Sequence, residues 1–257
     1  PYSFTAHAND IFERGWLLKE KVERSAFTVV ISEFNKDFLI KNRAPENKIH
    51  VIHCGVDSSL FQAGKSMRIS KPLKIGALGR MVEKKGFDTL IDAGRILLDS
   101  GKSLRIHIAG DGPLMKDLSK QARVMGFTDN VILSGPLPHD SVSSWLKGLD
   151  IFVLPCRKDS NGDMDGIPVV LMEAMLSGVP VVSTRISGIP ELIQDGVTGC
   201  LADPDNPSEL AAAIDRIAGD SRFRKTLTTN AKKKVREEFD LSRNTGRRAE
   251  LYKESIV

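Results

Sequence analysis

The chain has 257 residues, with hydrophobic and charged fractions of 41% and 27%, enough for one large domain or two modest ones with a real core. A formal net charge of +4 is too mild to argue for nucleic acid or a membrane as partner. The aromatic fraction of 6% leaves few rings on which single-stranded bases could stack.

Cys54, Cys156 and Cys200 are scattered and odd in number, with no CxxC pair. They read as reduced thiols in a reducing compartment. No apolar run reaches the length of a membrane span and nothing at the start has the pattern of a signal peptide, so the expected location is cytoplasmic. The chain opens at Pro1 on "YSFTAH", which alternates like a strand already under way and suggests a piece of a longer chain.

Strand-like and helix-like runs alternate from there on. "YSFTAH" is followed by a helical stretch near "DIFERGWLLKEKVERS", the strand "FTVVIS", the helix "EFNKDFLIKN" with Ser32 as N-cap, and "KIHVIHCGVD". "SSLFQAGKSMRISKP" is polar, carries Gly and Ser and ends in Pro72, so it reads as a linker. Four strand-to-helix units follow: "LKIGALG" with "FDTLIDAGRILLDS", "LRIHIAG" with "PLMKDLSKQARVMG", "NVILSG" with "DSVSSWLKGL", and "DIFVLPC" with "IPVVLMEAML". "VPVVST", a short "IPELI" turn, "GCLAD" and "PSELAAAIDRIAG" complete the alternation. The last stretch, through "AKKKVREEF" to "RRAELYKESIV", is helical and basic; a solvated helix face is the preferred reading and a membrane-surface role the minority one. Apolar strands alternating with helices imply crossover units and a parallel sheet buried on both faces. The expected class is α/β: residues 67–257 as one near-complete doubly wound, Rossmann-like parallel-sheet domain, and residues 1–66 as part of a second such domain with the linker.

Ligands of such sheets bind at the carboxyl ends of the strands, and three of the loops there stand out. "GALGRMVEKKGF" places Arg80 and Lys85 at a strand-to-helix loop after Gly79, where two cations beside helix N–H groups suit a diphosphate; a merely solvated polar loop is an even alternative. "AGDGPL" lacks the third glycine of a dinucleotide fingerprint, Met115 standing in its place, and reads as a tight turn capped by Asp111. "RKDSNGDMDGIPVVLMEAM" is long and acidic, then meets Pro168 just inside a helix, so the N–H groups of Gly166 and Ile167 are free for a ligand. Asp165 sits at that helix mouth, and Glu173 lies two turns into an otherwise apolar helix. A lone carboxylate there must be paired, hydrogen-bonded or neutralised. Either it forms an ion pair with Arg80 or another cation, or it accepts hydrogen bonds from a ligand's adjacent hydroxyls, as on a ribose. Cations for a diphosphate together with a carboxylate for a sugar diol describe a nucleotide-sugar site.

The order of "GRMVEKKGFDTLIDA", "IAGDGPL", "SGPLPHDSV", "FVLPC" and "DGIPVVLMEAMLSGVPVVSTRISGIPELIQDGVTGCL" resembles that of the family 4 retaining glycosyltransferases, most of all the exopolysaccharide enzymes of colanic acid type. The resemblance covers the whole chain and implies the GT-B fold of two facing Rossmann-like domains. It implies that Arg80 and Lys85 bind the donor's diphosphate and stabilise the leaving group. Glu173 matches the second acid of the family's E-x7-E motif, which holds the ribose. Asp165 takes the first acid's place by the donor sugar, one methylene shorter than the usual Glu. Gly166 and Ile167 would face sugar and phosphates, Leu137 would pack on the base, and His7, at a strand end of the acceptor-side domain, would reach the donor sugar across the cleft. A satisfied strand-end histidine is the plain alternative for His7. His53 and Cys54 replace the commoner residues of the segment before the hinge and receive no role.

The resulting expectation is a retaining transfer of a sugar from a UDP- or GDP-sugar to a hydroxyl acceptor, a saccharide or lipid-linked saccharide, in polysaccharide or glycoconjugate biosynthesis. No cofactor or metal is expected; "DMD" from Asp163 is the one triplet that could suggest a cation, and it overlaps the donor loop. Partners would include no nucleic acid; peripheral contact with the inner face of a membrane stays open. Rival readings are a nucleotide-sugar-binding module inactive by itself, a GT-B sugar-nucleotide epimerase and, more distantly, an NAD-linked oxidoreductase.

Overall fold

A computed structural model describes residues 2–13, 15–61 and 68–255 of the chain. Among these residues nine strands form two sheets in which every pairing is parallel. The first holds β1 (Phe4–Ala6), β2 (Thr28–Val30) and β3 (Ile49–Val51) in that order. The second holds β4 (Leu73–Leu78), β5 (Leu104–Ala109), β6 (Val131–Ser134), β7 (Ile151–Val153), β8 (Val181–Thr184) and β9 (Cys200–Ala202) in the order β6-β5-β4-β7-β8-β9. That order reverses between β4 and β7, the topological switch point where doubly wound sheets take their ligands.

Among the described residues ten α-helices link and cover the strands: α1 (Leu18–Arg24), α2 (Glu33–Lys41), α3 (Phe87–Asp99), α4 (Met115–Val124), α5 (His139–Lys147), α6 (Val169–Leu176), α7 (Ile189–Leu192), α8 (Pro207–Gly219), α9 (Ser221–Glu238) and α10 (Leu241–Ser255). The larger sheet is buried as its sequence demands. Ile75, Ile106, Ile108, Ile151, Phe152 and Val153 are fully enclosed, each aliphatic side chain stabilising by about 1.5–3 kcal/mol. In α3 the face Leu90, Ile91, Ala93 and Leu97 is buried while Arg95 and Asp99 pair outside, the 3.6-residue periodicity of a helix on a core. α6 lies deeper: Leu171, Met172, Ala174, Met175 and Leu176 are all buried.

Three sequence expectations change. The helix expected across "DIFERGWLLKEKVERS" is two pieces, a π-helical turn at Asn9–Glu13 and then α1. A Cβ on Gly15 would stand 2.4 Å from the Ile11 carbonyl oxygen, and Leu17 adopts a left-handed conformation with φ 55°, so the chain turns there instead of continuing. Pro168 is the residue before α6, extended at φ −63° and ψ 123°, not its first helical residue; its ring fixes the entry to the helix. The last helix starts six residues before "RRAELYKESIV", at Leu241. The boundary at 66/67 lies outside the described residues.

α10 returns across the first sheet. Leu251 packs on Phe27, Val29 and Ile52, the Tyr252 ring meets Phe27 edge-on at 5.0 Å, and Asn244 Nδ2 donates to the His53 carbonyl. His53, which had no expected role, stacks on Phe239 with its Nδ1 2.9 Å from the Ile31 carbonyl.

The carboxyl ends of the two sheets also meet directly. A Cβ on Gly166 would lie 2.8 Å from Ile31 Cδ1 and 3.7 Å from Ala8 Cβ; one on Gly188 would lie 2.8 Å from Ser32 Cβ. Beside them the Glu191 carboxylate accepts the backbone N–H groups of Glu33 (2.9 Å) and Phe34 (3.0 Å), while Ser32 Oγ caps Asn35 N–H as the sequence suggested. A carboxylate from one half thus satisfies the orphan donors of a helix in the other, where the helix dipole favours it. Glu191→Ala is expected to cost about 1–2 kcal/mol of stability, the loss of a cap made of charge-assisted bonds. Hydrogen exchange followed by mass spectrometry would then show faster exchange at the first turn of α2 than elsewhere in that helix.

Candidate functional site

The switch-point crevice is built by the loops after β4 and β7. The first is held from both sides. Gly79 N–H donates to the Ala109 carbonyl and Met81 N–H to that of Asp111, so "AGDGPL" is a tight turn that braces the Arg80 loop. It uses Asp111's backbone carbonyl, where the sequence suggested a cap. Gly86 closes the loop at φ +63°, with its would-be Cβ 2.0 Å from the Pro155 carbonyl oxygen; an L side chain fits neither the angle nor the space. That contact seats the start of α3, and with it Lys85, against the end of β7.

The second loop is bolted to the first. Arg157 N–H donates to the Lys84 carbonyl, and its guanidinium reaches the Glu83 carbonyl (3.0 Å), Asp88 (2.8 Å) and Asp205 (2.8 Å). Ser160 binds the Glu83 carboxylate through N–H and hydroxyl. Asp159 Oδ1 accepts the N–H groups of Asn161 and Asp163, an Asx-type turn that fixes the acidic stretch locally. Glu83 and Lys84 are therefore tied down by hydrogen bonds and ion pairs within the loop pair.

Between these loops four charges alternate. Lys85 Nζ lies 2.7 Å from Asp165 Oδ2, Lys84 Nζ 2.6 Å from Asp163 Oδ2 and 3.7 Å from Asp165 Oδ1, all four side chains being less than a fifth exposed. The Cys156 thiol donates to Asp165 Oδ2 at 3.5 Å. Burial and the nearby Asp165 charge push that thiol far up, so it stays protonated and serves as a weak donor. Burial alone would lower Lys84, but its hydrogen bond to Asp163 and the neighbouring acids outweigh that and raise it. Both acids of the Asp-Met-Asp triplet are thus engaged by ammonium groups. Among the described residues no three His, Cys, Asp or Glu side chains converge as a metal would require. Arg80 is exposed and shares a cavity of about 470 Å³ with Lys84, Lys85 and Asp163.

At the mouth of α6 no described residue accepts the N–H groups of Gly166 or Ile167. Gly166 adjoins Ala8, the neighbour of His7, so the end of β1 comes to the helix mouth. His7 itself is exposed, its N–H bound to Asp10 Oδ2.

Glu173 is half-buried on α6, and no described residue donates a hydrogen bond or forms an ion pair with its carboxylate. The ion pair with Arg80 or another cation is absent among the described residues. Burial raises its pKa and the charge of His139 partly offsets this. His139 opens α5 two residues after Leu137, and Leu137 is partly buried against the core, so Glu173 and the loop after β6 are neighbours.

The structure therefore unites Arg80, Lys85, Asp165, Gly166 and the His7 strand end around one crevice, and sets Glu173 beside the Leu137 loop. Sequence reasoning missed Lys84, Asp163, Cys156, Arg157 and Glu191. "EKK" and "DMD" are runs in which alternate charges pair with each other; nothing in either run alone announces this.

Two parallel sheets with their carboxyl ends brought together, the larger in the 3-2-1-4-5-6 sense, are the arrangement of the GT-B glycosyltransferases. The chain belongs to the family Glycosyl transferases group 1, which it matches over residues 61–234. It is 35% identical over 240 residues to the amylovoran biosynthesis glycosyltransferase AmsK of Erwinia amylovora, covering 91% of this chain and 59% of that relative. It is 34% identical to the putative colanic acid biosynthesis glycosyltransferase WcaL of Escherichia coli over 92% of this chain and 56% of that protein. The chain thus spans a little over half the length of the curated relatives it matches. Among solved structures, Anabaena HepE in complex with UDP-glucose superimposes with a TM-score of 0.85 at 21% identity, over 99% of this chain and 72% of that one. Staphylococcus aureus TarM, in complex with UDP and other ligands, gives 0.81 at 20% identity, over 93% and 46%; at such identities the likeness is one of fold. Among the described residues no helix is long and apolar enough to cross a membrane.

Proposed function

We propose that this chain carries the donor site of a cytoplasmic, retaining hexosyltransferase of family 4, which moves a sugar from a UDP- or GDP-sugar to a hydroxyl acceptor. The observation that carries the proposal is Glu173: a half-buried carboxylate with no partner among the described residues, on the helix whose mouth holds the Lys85–Asp165 pair. A desolvated acceptor without a donor costs stability, and two adjacent ribose hydroxyls would supply the missing donors.

In this reading Arg80, Lys85 and the N–H groups of Gly166 and Ile167 bind the diphosphate and stabilise it as it departs, an electrostatic role that needs no proton. Lys85 exchanges its Asp165 contact for phosphate, and Asp165 turns to the sugar with His7 on the opposite wall. The bond from the anomeric carbon to the diphosphate oxygen breaks, a bond to the acceptor oxygen forms on the same face, and the acceptor's proton passes to the departing diphosphate. Ammonium groups on Asp163 and Asp165 support a metal-independent site. The fold neighbours solved with UDP or UDP-glucose and the exopolysaccharide relatives support the donor class and a saccharide acceptor. A peripheral contact with the inner face of a membrane completes the proposal, supported by the exposed Trp16–Leu17 pair ahead of Lys19 and Lys21 of α1.

Calorimetric titration of the chain with UDP, GDP and ADP tests the donor site. Selective binding of one diphosphate is the expected result; a folded chain that binds none of them would overturn the assignment. The span of little more than half the relatives' length favours a second reading, a donor-binding module that transfers nothing by itself. Transfer of labelled sugar by the chain alone would eliminate it.

A further inference from the structure

The loop that carries Leu137 hangs from one side chain of β5. Gly135, Pro136, Leu137 and Pro138 join the end of β6 to the start of α5. Proline fixes φ at two of these four positions, so the loop bends little within itself and its tip follows its two attachments. Both attachments reach His107. At the near end Ser134 Oγ lies 2.7 Å from His107 Nε2. At the far end Trp145 of α5 donates its indole N–H to His107 Nδ1 at 3.0 Å, with its ring edge-on to the imidazole at 5.4 Å. The end of β5 also holds the loop's backbone: the Gly110 N–H goes to the carbonyls of Ser134 (3.2 Å) and Gly135 (3.1 Å).

The donor chemistry fixes the proton of the imidazole. An indole nitrogen only donates, so Nδ1 is the bare nitrogen, and Nε2 carries the proton and gives it to Ser134 Oγ. Burial lowers the His107 pKa, which keeps the ring neutral at pH 7 as this tautomer requires. Trp145 in turn meets Phe152 of β7 edge-on at 6.5 Å, so α5 is registered against the strand across the switch point. Apolar side chains would fill the same half-buried space in several arrangements. A satisfied chain of three polar groups selects one. Resting on the donor-site reading, we infer that His107 is a positioning residue for nucleotide binding: through Ser134 it sets the stiff loop whose Leu137 packs on the base, and through Trp145 it sets the helix that follows. The Ser134 arm, three residues from Leu137 where Trp145 is eight away, governs affinity.

The test divides the imidazole into its two arms. Glutamine sets an amide where Nε2 lay and can still donate to Ser134; asparagine sets one where Nδ1 lay and can still accept from Trp145. The parent chain, His107→Gln, His107→Asn, His107→Leu and Ser134→Ala are titrated with UDP and GDP, with thermal melts of the same samples. Ser134→Ala deletes the governing arm from its other end, so the test survives if a His107 variant fails to fold. The expected result is that His107→Asn, His107→Leu and Ser134→Ala, folded at the titration temperature, bind the parent's nucleotide at least about tenfold more weakly, or 1.4 kcal/mol. His107→Gln stays within about threefold of the parent. In the parent, 15N NMR of the imidazoles shows His107 neutral and protonated at Nε2. A merely structural histidine would lower the melting temperature and leave the affinity of folded chain unchanged. Unchanged affinity in folded Ser134→Ala or His107→Leu, a folded His107→Gln as weak as Ser134→Ala, or a ring protonated at Nδ1 overturns the positioning role and leaves the nucleotide site standing. A folded parent that binds neither nucleotide overturns both.

Discussion

Glu173→Gln is expected to weaken nucleoside diphosphate binding by about a hundredfold or more, as the loss of two hydrogen bonds to a charged acceptor implies, and to leave the melting temperature of the ligand-free chain equal or higher. The two results together distinguish a ligand-holding acid from a structural one, because a structural acid would lose stability when neutralised. The sign follows from burial. Burial raises the Glu173 pKa above that of an unfolded glutamate, so the folded chain holds this proton to higher pH than the unfolded one does. Its contribution to stability is fully present below the unfolded value and is lost as pH rises through the folded value. At neutral pH the ionised group is therefore a net cost of folding, one that glutamine removes. Binding runs the opposite way. Two ribose hydroxyls need the ionised acceptor, so affinity falls as pH drops through the raised Glu173 value, at a higher pH than an ordinary glutamate would give. Calorimetry over pH 4–8, paired with melts of the same samples, checks both signs; a melting temperature that falls in Glu173→Gln would return Glu173 to a structural role.

Lys85→Met should lower diphosphate affinity by about a hundredfold, the scale of one charge-assisted contact in a partly desolvated site. It should also cost about 2–3 kcal/mol of stability, since it leaves Asp165 with a more distant cation, Lys84 at 3.7 Å, and the Cys156 thiol. A double variant decides which effect matters for binding. If Lys85 serves only to hold Asp165, then Lys85→Met/Asp165→Asn, which removes both charges, regains stability and affinity together. If Lys85 binds phosphate, stability returns and affinity does not. The second outcome is expected, because Lys85 shares its cavity with Arg80, a cation with which no described residue pairs.

The alternation of apolar strands and amphipathic helices made the doubly wound sheet readable from residue 73 onward, because buried parallel strands need nearly continuous Val, Ile and Leu and their helices need one apolar face. Local cues carried the rest: Ser32 caps α2 where its position suggested, and an isolated Glu173 among buried apolar neighbours marked itself. What failed was local turn geometry, as at Gly15–Leu17, where a left-handed Leu17 interrupts a helix that the composition would extend. Long-range pairing was also hidden. Lys84 meets Asp163 across 79 positions and Glu191 meets Glu33 across 158. Charge type and spacing do not encode such partners, since any of several lysines satisfies an acid equally well on paper.

The meeting of the two halves at Gly166 and Gly188 has an experimental consequence. At both places the missing side chain of a glycine lets the other half approach: an added methyl at Gly166 would stand 2.8 Å from Ile31 Cδ1, and one at Gly188 would stand 2.8 Å from Ser32 Cβ. A bulkier residue at Gly166 would therefore act as a doorstop against Ile31 and Ala8 of the other half, whereas one at Gly188 would press on Ile167 of its own half as closely as on Ser32. Such a propped variant would measure what closure contributes to holding a donor, separately from what any contacting side chain contributes.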